Sequence, residues 1–332
     1  MKLVRFRRDG EIRIGAHIGE AHYLDLAEAA RIRRDPVESA VGDMQTLIEG
    51  GLVALEAVTG LIDAAPDEAV IAQSSVQLLT PLPNPRKIRD FSTFEKHLRQ
   101  AAEGAARRLA STSDNPAEAY EQLLVAHGLD QIPPAGWRSL PGYYYVDVGP
   151  VSGPDEPVVW PRYSQWIDYE LELAVVIGRQ GKDIPCDAAL DHVFGYTIFN
   201  DLSARDAQLA AMATGLGPAK GKDFDGSTVL GPCIVTADEI SDPHDLTMIA
   251  RVNGEEVGRG HSGEAFWSIA DCIAYASQSQ TIRSGEVFAT GTVGNGSTIE
   301  TGLVLECGNI VELEIESIGV LRTPIVQGSV VS

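Results

Sequence analysis

The feature that most restricts the fold of this chain is a succession of strand-like runs in its second half. These runs are rich in β-branched, aromatic and aliphatic residues, the composition typical of β-strands. They read EPVVWP, DYELELAVVIG, VFGYTIFND, CIVTAD, LTMIARVNGEEV, EVFATGTVG and IVELEIESIGVLR. Few helical patterns separate them, which disfavours alternating βαβ units. The sequence therefore predicts an α+β or all-β architecture that is rich in strands.

The first part of the chain predicts a smaller unit. Three short strands, KLVRFR, EIRIGAHI and AHYLDL, precede a helical pattern in DMQTLIEGGLVALEAV and a further strand in SVQLLTPL. Pro81, Pro83 and Pro85 then prevent regular backbone hydrogen bonding and mark a boundary. We expect a small N-terminal β-meander with a helix at residues 1–84 and a larger domain at residues 85–332.

Charge and composition exclude several kinds of partner. The chain has 47 acidic and 26 basic residues and a formal net charge of −21, which argues against nucleic acid or an anionic membrane surface. Its 4 cysteines form no C-x-x-C pair, so neither a zinc site nor a disulfide framework is indicated. No stretch resembles a membrane span or a secretory leader. We expect a cytoplasmic protein without a membrane partner.

The strand DYELELAVVIG carries two glutamates on one face. Glu170 and Glu172 are two residues apart, so their carboxylates lie roughly 6 to 7 Å apart along a strand and repel each other unless a cation lies between them. The alternative is a solvated outer face. The run VELEIES, with Glu312, Glu314 and Glu316, repeats the pattern near the C-terminus. The E-x-E pattern alone is therefore a weak signal.

Two further segments supply charged groups. In YTIFNDLSARDAQ, Asp201 follows an apolar strand directly, although a helix N-cap would also explain an aspartate there. In GPAKGKDFDGSTVLGP, Lys222 lies among glycines that allow close approach to a ligand; a solvated loop is the alternative. Three carboxylates from two strands predict an oxygen-ligand site for Mg²⁺, Mn²⁺ or Ca²⁺. Lys222 would stabilise negative charge that develops on a chelating substrate.

A histidine in RDFSTFEKH is the candidate general base. His97 follows the predicted boundary, and Glu95 lies two residues before it. A histidine charged and oriented by a carboxylate is suited to take a proton from water. The alternative is a surface histidine on an amphipathic helix.

Six segments together resemble the fumarylacetoacetate hydrolase family in their order and character. They are RDFSTFEKH, DYELELAVVIG, GYTIFNDLSARDAQ, GPAKGKDFDGSTVLGP, ATGTVGNGS and VELEIESIGVLRTPI. The resemblance covers about residues 75–326, and the E-x-E and N-D-x-S-x-R-D-x-Q motifs are its most specific parts. It implies a mixed β-roll or sandwich fold for the catalytic domain and a homodimer. It also implies a divalent metal, usually Mg²⁺, and a small dicarbonyl or 2-oxo acid substrate.

The resemblance also assigns roles to individual residues. It implies that the metal ligands are Glu170, Glu172 and Asp201. Asp90 and Thr93 compete for the place of a further ligand. Lys222 matches a catalytic lysine beside the metal, with Thr228 as its neighbouring hydroxyl. The residues implied to contact the substrate or support the site are Arg205, Gln208 and Thr292. His97 resembles the catalytic histidine; Glu95 is the preferred carboxylate partner and Glu306 the weaker candidate. A long stretch at about residues 100–140 is predicted to cover the pocket and influence substrate choice.

The leading hypothesis is a metal-dependent hydrolase that cleaves a carbon-carbon bond in a 1,3-diketone, acylpyruvate or fumarylacetoacetate-like substrate. His97 would activate water, and the metal and Lys222 would hold the enolate that leaves. The alternative is a decarboxylase or keto-enol isomerase of an oxaloacetate-like 2-oxo acid, which needs the enolate but no attacking water. A third hypothesis is an inactive metal-binding scaffold, but a scaffold has no need of Lys222 and His97 together.

Overall fold

The computed structural model of the protein describes residues 1–126 and 128–328. The strands are β1 (Lys2–Arg8), β2 (Glu11–Ile18), β3 (His22–Asp25), β4 (Val70–Ala72), β5 (Gln77–Leu79), β6 (Lys87–Phe91), β7 (Tyr143–Val146), β8 (Val158–Trp160), β9 (Ile167–Asp168), β10 (Leu171–Ile177), β11 (Val193–Asp201), β12 (Ser203–Ala204), β13 (Thr228–Thr236), β14 (Thr247–Val252), β15 (Glu255–His261), β16 (Glu286–Ala289), β17 (Ile310–Ile315) and β18 (Gly319–Gln327). The helices are α1 (Leu26–Arg33), α2 (Met44–Asp63), α3 (Glu95–Ala110), α4 (Pro116–Ala126), α5 (Arg205–Met212), α6 (Ile269–Ser277) and α7 (Thr298–Thr301).

The N-terminal strands form the predicted meander. β1 and β2 are antiparallel, with Leu3 opposite Ala16, and β3 continues the same pattern. The connecting turn uses Asp9 and Gly10 at φ 51° and 83°, the positive values that a two-residue turn between twisted strands requires. The predicted helix also forms, as α2. The meander and its helix are therefore confirmed.

Helix α2 is broken in its middle. Gly51 has φ 57° and ψ −144°, which lies outside the helical region. The helix is long and apolar enough, by length and composition alone, to cross a membrane, with a mean hydropathy of 1.3. Leu47, Val58 and Leu61 are buried in a core that also contains residues of β1 and β2. One face of α2 thus packs inside the protein, while Leu52 beside the break is exposed.

A single large sheet connects the meander to the rest of the chain. Its 11 strands include the order β4-β3-β2-β1-β13-β11-β10-β16-β6-β7, and β5 pairs with β1. Lys2 of β1 lies opposite Val235 of β13, so pairing crosses the predicted boundary at residue 84. The division into domains at that point stays a prediction. β6 and β16 are parallel, with Asp90 opposite Ala289.

A second sheet completes the roll. It has 5 strands in the order β15-β14-β17-β18-β8. A hydrophobic cluster contains residues of both sheets, among them Leu173 and Ile198 of the large sheet and Leu313 and Leu321 of the small one. Two packed sheets with peripheral helices confirm the predicted β-rich α+β class and its roll-like architecture.

Candidate metal and active site

Three neighbouring parts of the large sheet bring carboxylates together. Asp90 is on β6, Glu172 is on β10 and Asp201 ends β11. Each offers a carboxylate oxygen, and these oxygens all lie within 4.8 Å of one another. β10 pairs with both β11 and β16, and β16 pairs with β6. The sheet order therefore creates the cluster from residues that are up to 111 positions apart (201 − 90).

The cluster is buried, and its three carboxylates outnumber the Lys222 ammonium that contacts Asp201. Desolvation, followed by the charges of neighbouring carboxylates, raises the pKa of Asp90 and of Glu172 well above the usual range. Burial also raises the pKa of Asp201, against the effect of the Lys222 ammonium. Asp90 Oδ1 and Asp201 Oδ1 are buried and have no hydrogen-bond partner among the described residues. Hard oxygen atoms in this state fit a divalent cation.

Glu170 faces two cations and is not part of this cluster. Its carboxylate contacts Lys222 Nζ, and its Oε1 lies 2.7 Å from Arg205 Nη1. Although desolvation opposes ionisation, Arg205 and Lys222 lower the pKa of Glu170 below its usual range. The expected ligand set of Glu170, Glu172 and Asp201 is thus brought together only in part, and Asp90 completes the group of three. Thr93, the competitor of Asp90, donates its hydroxyl to Thr290 O at 2.5 Å instead.

Lys222 and Tyr144 both contact Asp201. Lys222 Nζ lies 2.5 Å from Asp201 Oδ2, and the Tyr144 hydroxyl donates to the same oxygen at 2.6 Å. Lys222 is 3% exposed, and its carboxylate neighbours Asp201 and Glu170 raise its pKa despite desolvation. The ammonium is therefore charged where an anionic intermediate would need it. Tyr144 was missed because PGYYYVD gives no sign of which tyrosine faces a carboxylate.

The carboxylate next to His97 is Glu300. His97 Nδ1 lies 3.3 Å from Glu300 Oε1, and His97 Nε2 lies 3.7 Å from Glu170 Oε1. The preferred partner, Glu95, contacts Arg99 and Arg138 instead. Two residues along a helix rotate the side chain by about 200°, so Glu95 and His97 point to opposite faces. The expected pairing with Glu95 is therefore wrong.

The weaker candidate for this pairing, Glu306, is exposed. Glu300 is held firmly at the start of α7. Its Oε2 accepts from the Ser297 amide and hydroxyl, both at 2.8 Å, in a capping box. The S-T-I-E pattern could have predicted this helix start, but not the contact with His97.

Asp168 connects this helix to the cationic side of the site. It accepts from Thr298 N at 2.7 Å and from Arg205 Nε at 2.8 Å, and its exposure is 0%. Arg205 in turn contacts Glu170. Asp168 is the first residue of the DYELEL segment, and no role for it was predicted. It joins the helix that carries Glu300 to the arginine that orients Glu170.

A pocket of about 290 Å³ opens onto these groups. Its lining includes Lys222, His97 and two of the predicted substrate contacts, Gln208 and Thr292. The Thr292 hydroxyl donates to Glu172 Oε1 at 3.1 Å. Arg205, which is 3% exposed, supports the site through Asp168, Glu170 and Gln208.

Thr228 lies outside the described pocket wall. It is opposite Asp201 in the sheet, and its hydroxyl donates to Asp147 O at 3.4 Å. The threonine expected to provide a hydroxyl near Lys222 therefore donates that hydroxyl to the backbone of another segment.

Comparisons with known proteins agree on one family. The family model described as fumarylacetoacetate (FAA) hydrolase, C-terminal, matches residues 110–326. A Xenopus laevis protein named oxaloacetate tautomerase fahd2, mitochondrial, is 33% identical over 284 residues, which cover 85% of this chain and 78% of the relative. The Homo sapiens protein named oxaloacetate tautomerase FAHD2A, mitochondrial, is 42% identical over 177 residues, 53% of this chain and 56% of the human protein.

Solved structures extend the likeness over almost the whole chain. A fumarylacetoacetate hydrolase from Exiguobacterium antarcticum has a TM-score of 0.73 and 25% identity, with 99% of this chain and 100% of that chain covered. The maleylpyruvate hydrolase from Sphingobium sp. SYK-6, in complex with manganese (II) ion and pyruvate, has a TM-score of 0.70 and 26% identity, with the same coverage.

Proposed function

Because the chain belongs to the fumarylacetoacetate hydrolase family, we propose that it is a divalent-metal-dependent enzyme that converts a small 2-oxo acid through its enolate. The observation that carries this proposal is the buried group of Asp90, Glu172 and Asp201 beside Lys222 and His97. Carboxylates alone would suit a structural ion. A buried ammonium and a histidine that line the same pocket supply, in addition, the groups that proton-transfer chemistry needs.

The residues present fit a metal ion. Asp90, Glu172 and Asp201 would hold it, because one carboxylate oxygen from each converges. In addition, Asp90 Oδ1 and Asp201 Oδ1 lack a hydrogen-bond partner among the described residues. All three donors are hard oxygen atoms, which suits Mg²⁺, Mn²⁺ or Ca²⁺. When bound, the ion would polarise the carbonyl oxygen of a 2-oxo acid and so acidify the adjacent carbon.

The side chains then have distinct roles in moving a proton. Glu300 Oε1 lies 3.3 Å from His97 Nδ1, so its charge favours a proton on Nδ1 and leaves Nε2 as the basic nitrogen. That nitrogen takes a proton from the carbon next to the carbonyl, and the charge that remains is stabilised by the Lys222 ammonium. Return of the proton to oxygen gives the enol. Gln208 and Thr292, on the pocket wall, orient the substrate.

The first candidate reaction is keto-enol tautomerisation of an oxaloacetate-like 2-oxo acid. It is supported by the relatives at 33% and 42% identity, which carry the name oxaloacetate tautomerase. The structures named as hydrolases are 25% and 26% identical. We therefore place tautomerisation ahead of carbon-carbon bond hydrolysis, the reverse of the order expected from the sequence alone.

Hydrolysis remains the second candidate because of one observation, the pair of His97 and Glu300. A histidine backed by a buried carboxylate can also take a proton from water, and the hydroxide would attack a carbonyl carbon. Cleavage would leave the same type of enolate beside Lys222. The two reactions thus share a site and differ in whether water takes part.

One assay separates the two candidates. Purified protein is stripped with chelator, loaded with Mg²⁺ or Mn²⁺, and mixed with enol-oxaloacetate or with maleylpyruvate and short acylpyruvates. Tautomerisation predicts faster decay of the enol absorbance without change in carbon count, measured against buffer with the same metal. Hydrolysis predicts release of pyruvate together with a carboxylic acid from maleylpyruvate or the acylpyruvates. Activity of the metal-loaded His97→Ala variant equal to that of the wild type, on every substrate, would refute both mechanisms.

A further inference from the structure

A short segment between β6 and α3 connects two parts of the site. It comprises Ser92–Phe94 and lies between Asp90, in the carboxylate cluster, and His97, on the first turn of α3. Phe94 is the N-cap of α3 and provides no side-chain hydrogen bond to the helix. The start of α3 therefore lacks the usual local stabilisation. The conformation of the segment depends on contacts from elsewhere in the chain.

Trp137 provides one of those contacts. Its indole Nε1 donates to Ser92 O at 2.7 Å. The side chain is 9% exposed, and its ring lies 5.1 Å from that of Phe266. The Phe266 amide donates to Thr93 O at 2.8 Å. The carbonyls of Ser92 and Thr93 thus accept hydrogen bonds from Trp137 and from its aromatic neighbour Phe266.

Trp137 is itself held from outside its own segment. The Trp267 indole donates to Trp137 O at 3.0 Å. The adjacent Arg138 pairs with Glu95, but both side chains are largely or partly exposed, at 51% and 27%, and such pairs contribute little. The buried indole contact is the stronger of the two links between residues 135–138 and the start of α3.

We propose that Trp137 is a positioning residue whose indole N–H fixes the Ser92 carbonyl and thereby the placement of His97 relative to Asp90. Trp137 is not part of the described pocket wall, so it acts through the segment and not on substrate. The stretch at residues 100–140 then has a specific role, because it contains the residue that holds His97 next to the carboxylate cluster. The activity part of this inference rests on the proposed function; the structural part does not.

Trp137→Phe is the variant that isolates the hydrogen bond. The variant keeps an aromatic ring beside Phe266 and removes the indole N–H, which donates to Ser92 O at 2.7 Å and to Ser92 Oγ at 3.2 Å. We expect faster amide hydrogen exchange in the peptide that contains Ser92–His97, because its local anchoring is weaker. We also expect kcat to fall about tenfold with little change in KM, since small misplacements of a reacting group cost rate more than binding.

The matched control is Trp160→Phe, which removes the same kind of bond from Trp160 Nε1 to Ser164 O, 2.9 Å long. Both variants are studied as the metal-loaded full chain by exchange and mass spectrometry and by steady-state kinetics. Unchanged exchange at Ser92–His97 in Trp137→Phe would refute the proposal, as would equal changes in both variants. Should Trp137→Phe fail to fold, Trp267→Phe must raise exchange in the same peptide, and its failure to do so would refute the proposal. Wild-type protein inactive on all the 2-oxo acids would refute the proposed function, while the exchange data would still decide on Trp137.

Discussion

Glu172 and Glu314 each follow another glutamate by two positions, yet their surroundings give them different properties. Glu172 is 1% exposed and lies beside Asp90 and Asp201. The side chain of Glu314 is 35% exposed and lies 2.5 Å from Arg251 Nη1. Like charges that are buried together need a cation, whereas a solvated carboxylate with an arginine does not. The sequence pattern is identical, and burial alone separates the two cases.

This contrast gives a prediction about metal binding. Glu172→Gln should weaken binding of Mn²⁺ by at least about tenfold. Loss of a residue that only supports a metal ligand typically lowers metal affinity by about 10–100-fold, and loss of the ligand itself should cost at least as much. Glu314→Gln should leave the affinity unchanged. Isothermal titration of chelator-stripped protein measures both. Equal affinities for the two variants would place the metal elsewhere.

A second prediction distinguishes the two glutamates near His97. Glu300→Gln should lower kcat about 100-fold, because a neutral amide does not stabilise the imidazolium that forms on His97. This value is the lower end of the rate contribution that general acid–base catalysis typically makes. Glu95→Gln should have almost no effect, because Glu95 contacts Arg99 and Arg138 on the far side of the helix. Steady-state kinetics on the substrate that the wild type converts fastest decides this.

The outcome that contradicts the assignment is the reverse ranking. A large loss in Glu95→Gln with an active Glu300→Gln would restore the pairing expected from the sequence. Thermal unfolding of both variants provides the control, because Glu300 also caps α7 and its loss must be separated from a loss of folding.

Sequence motifs identify most of the site residues, whereas the others are recognised only from tertiary contacts. Glu172, Asp201, Lys222 and His97 stand in recognisable segments, and each lies in or beside the pocket. Glu300 is 203 positions after His97 (300 − 97), and no local pattern connects the two. Its contact exists only because α7 packs against α3. Residues that act through such distant contacts cannot be read from one sequence.

Among the elements, α2 offers a matched pair of glycines. Gly51 has a positive φ and a ψ of −144°, while Gly60 is exposed, lies within the helix and has no neighbour within 4 Å of an added Cβ. Gly51→Ala should lower the free energy of unfolding by about 1–3 kcal/mol, the cost of such a backbone conformation. Gly60→Ala should raise it by up to about 1 kcal/mol. Urea denaturation measures both, and stabilisation by Gly51→Ala would show that the break is not maintained in solution.

Strands were easier to predict than their order. The β-branched and aromatic composition of EIRIGAHI and VFGYTIFND identifies β2 and β11 as strands. The parallel pairing of β6 with β16 joins residues near 88 to residues near 288, and nothing local encodes it. Short helices such as α7 were also missed, because four residues carry too little periodicity.

For the whole molecule, the shared sheet predicts cooperative unfolding. β1 pairs with β13, and one hydrophobic cluster contains residues from both sides of position 84. The tryptophans are at 137, 160, 166 and 267, so fluorescence reports on the later part, whereas circular dichroism also includes α1 and α2. We expect the two urea transitions to coincide. A circular dichroism transition that precedes the fluorescence transition would establish an independent N-terminal domain.

The pairing of β1 also has a consequence for synthesis on the ribosome. β5 pairs with Arg5–Arg7, so that part of the edge can be covered once residue 79 has emerged. Lys2 and Leu3 must wait for Val235 and Ile234. At about 5–20 residues per second, this delay is on the order of ten seconds or longer. During that time the nascent chain carries an unpaired strand end that could pair with another chain. Chaperones protect such exposed strand edges from aggregation.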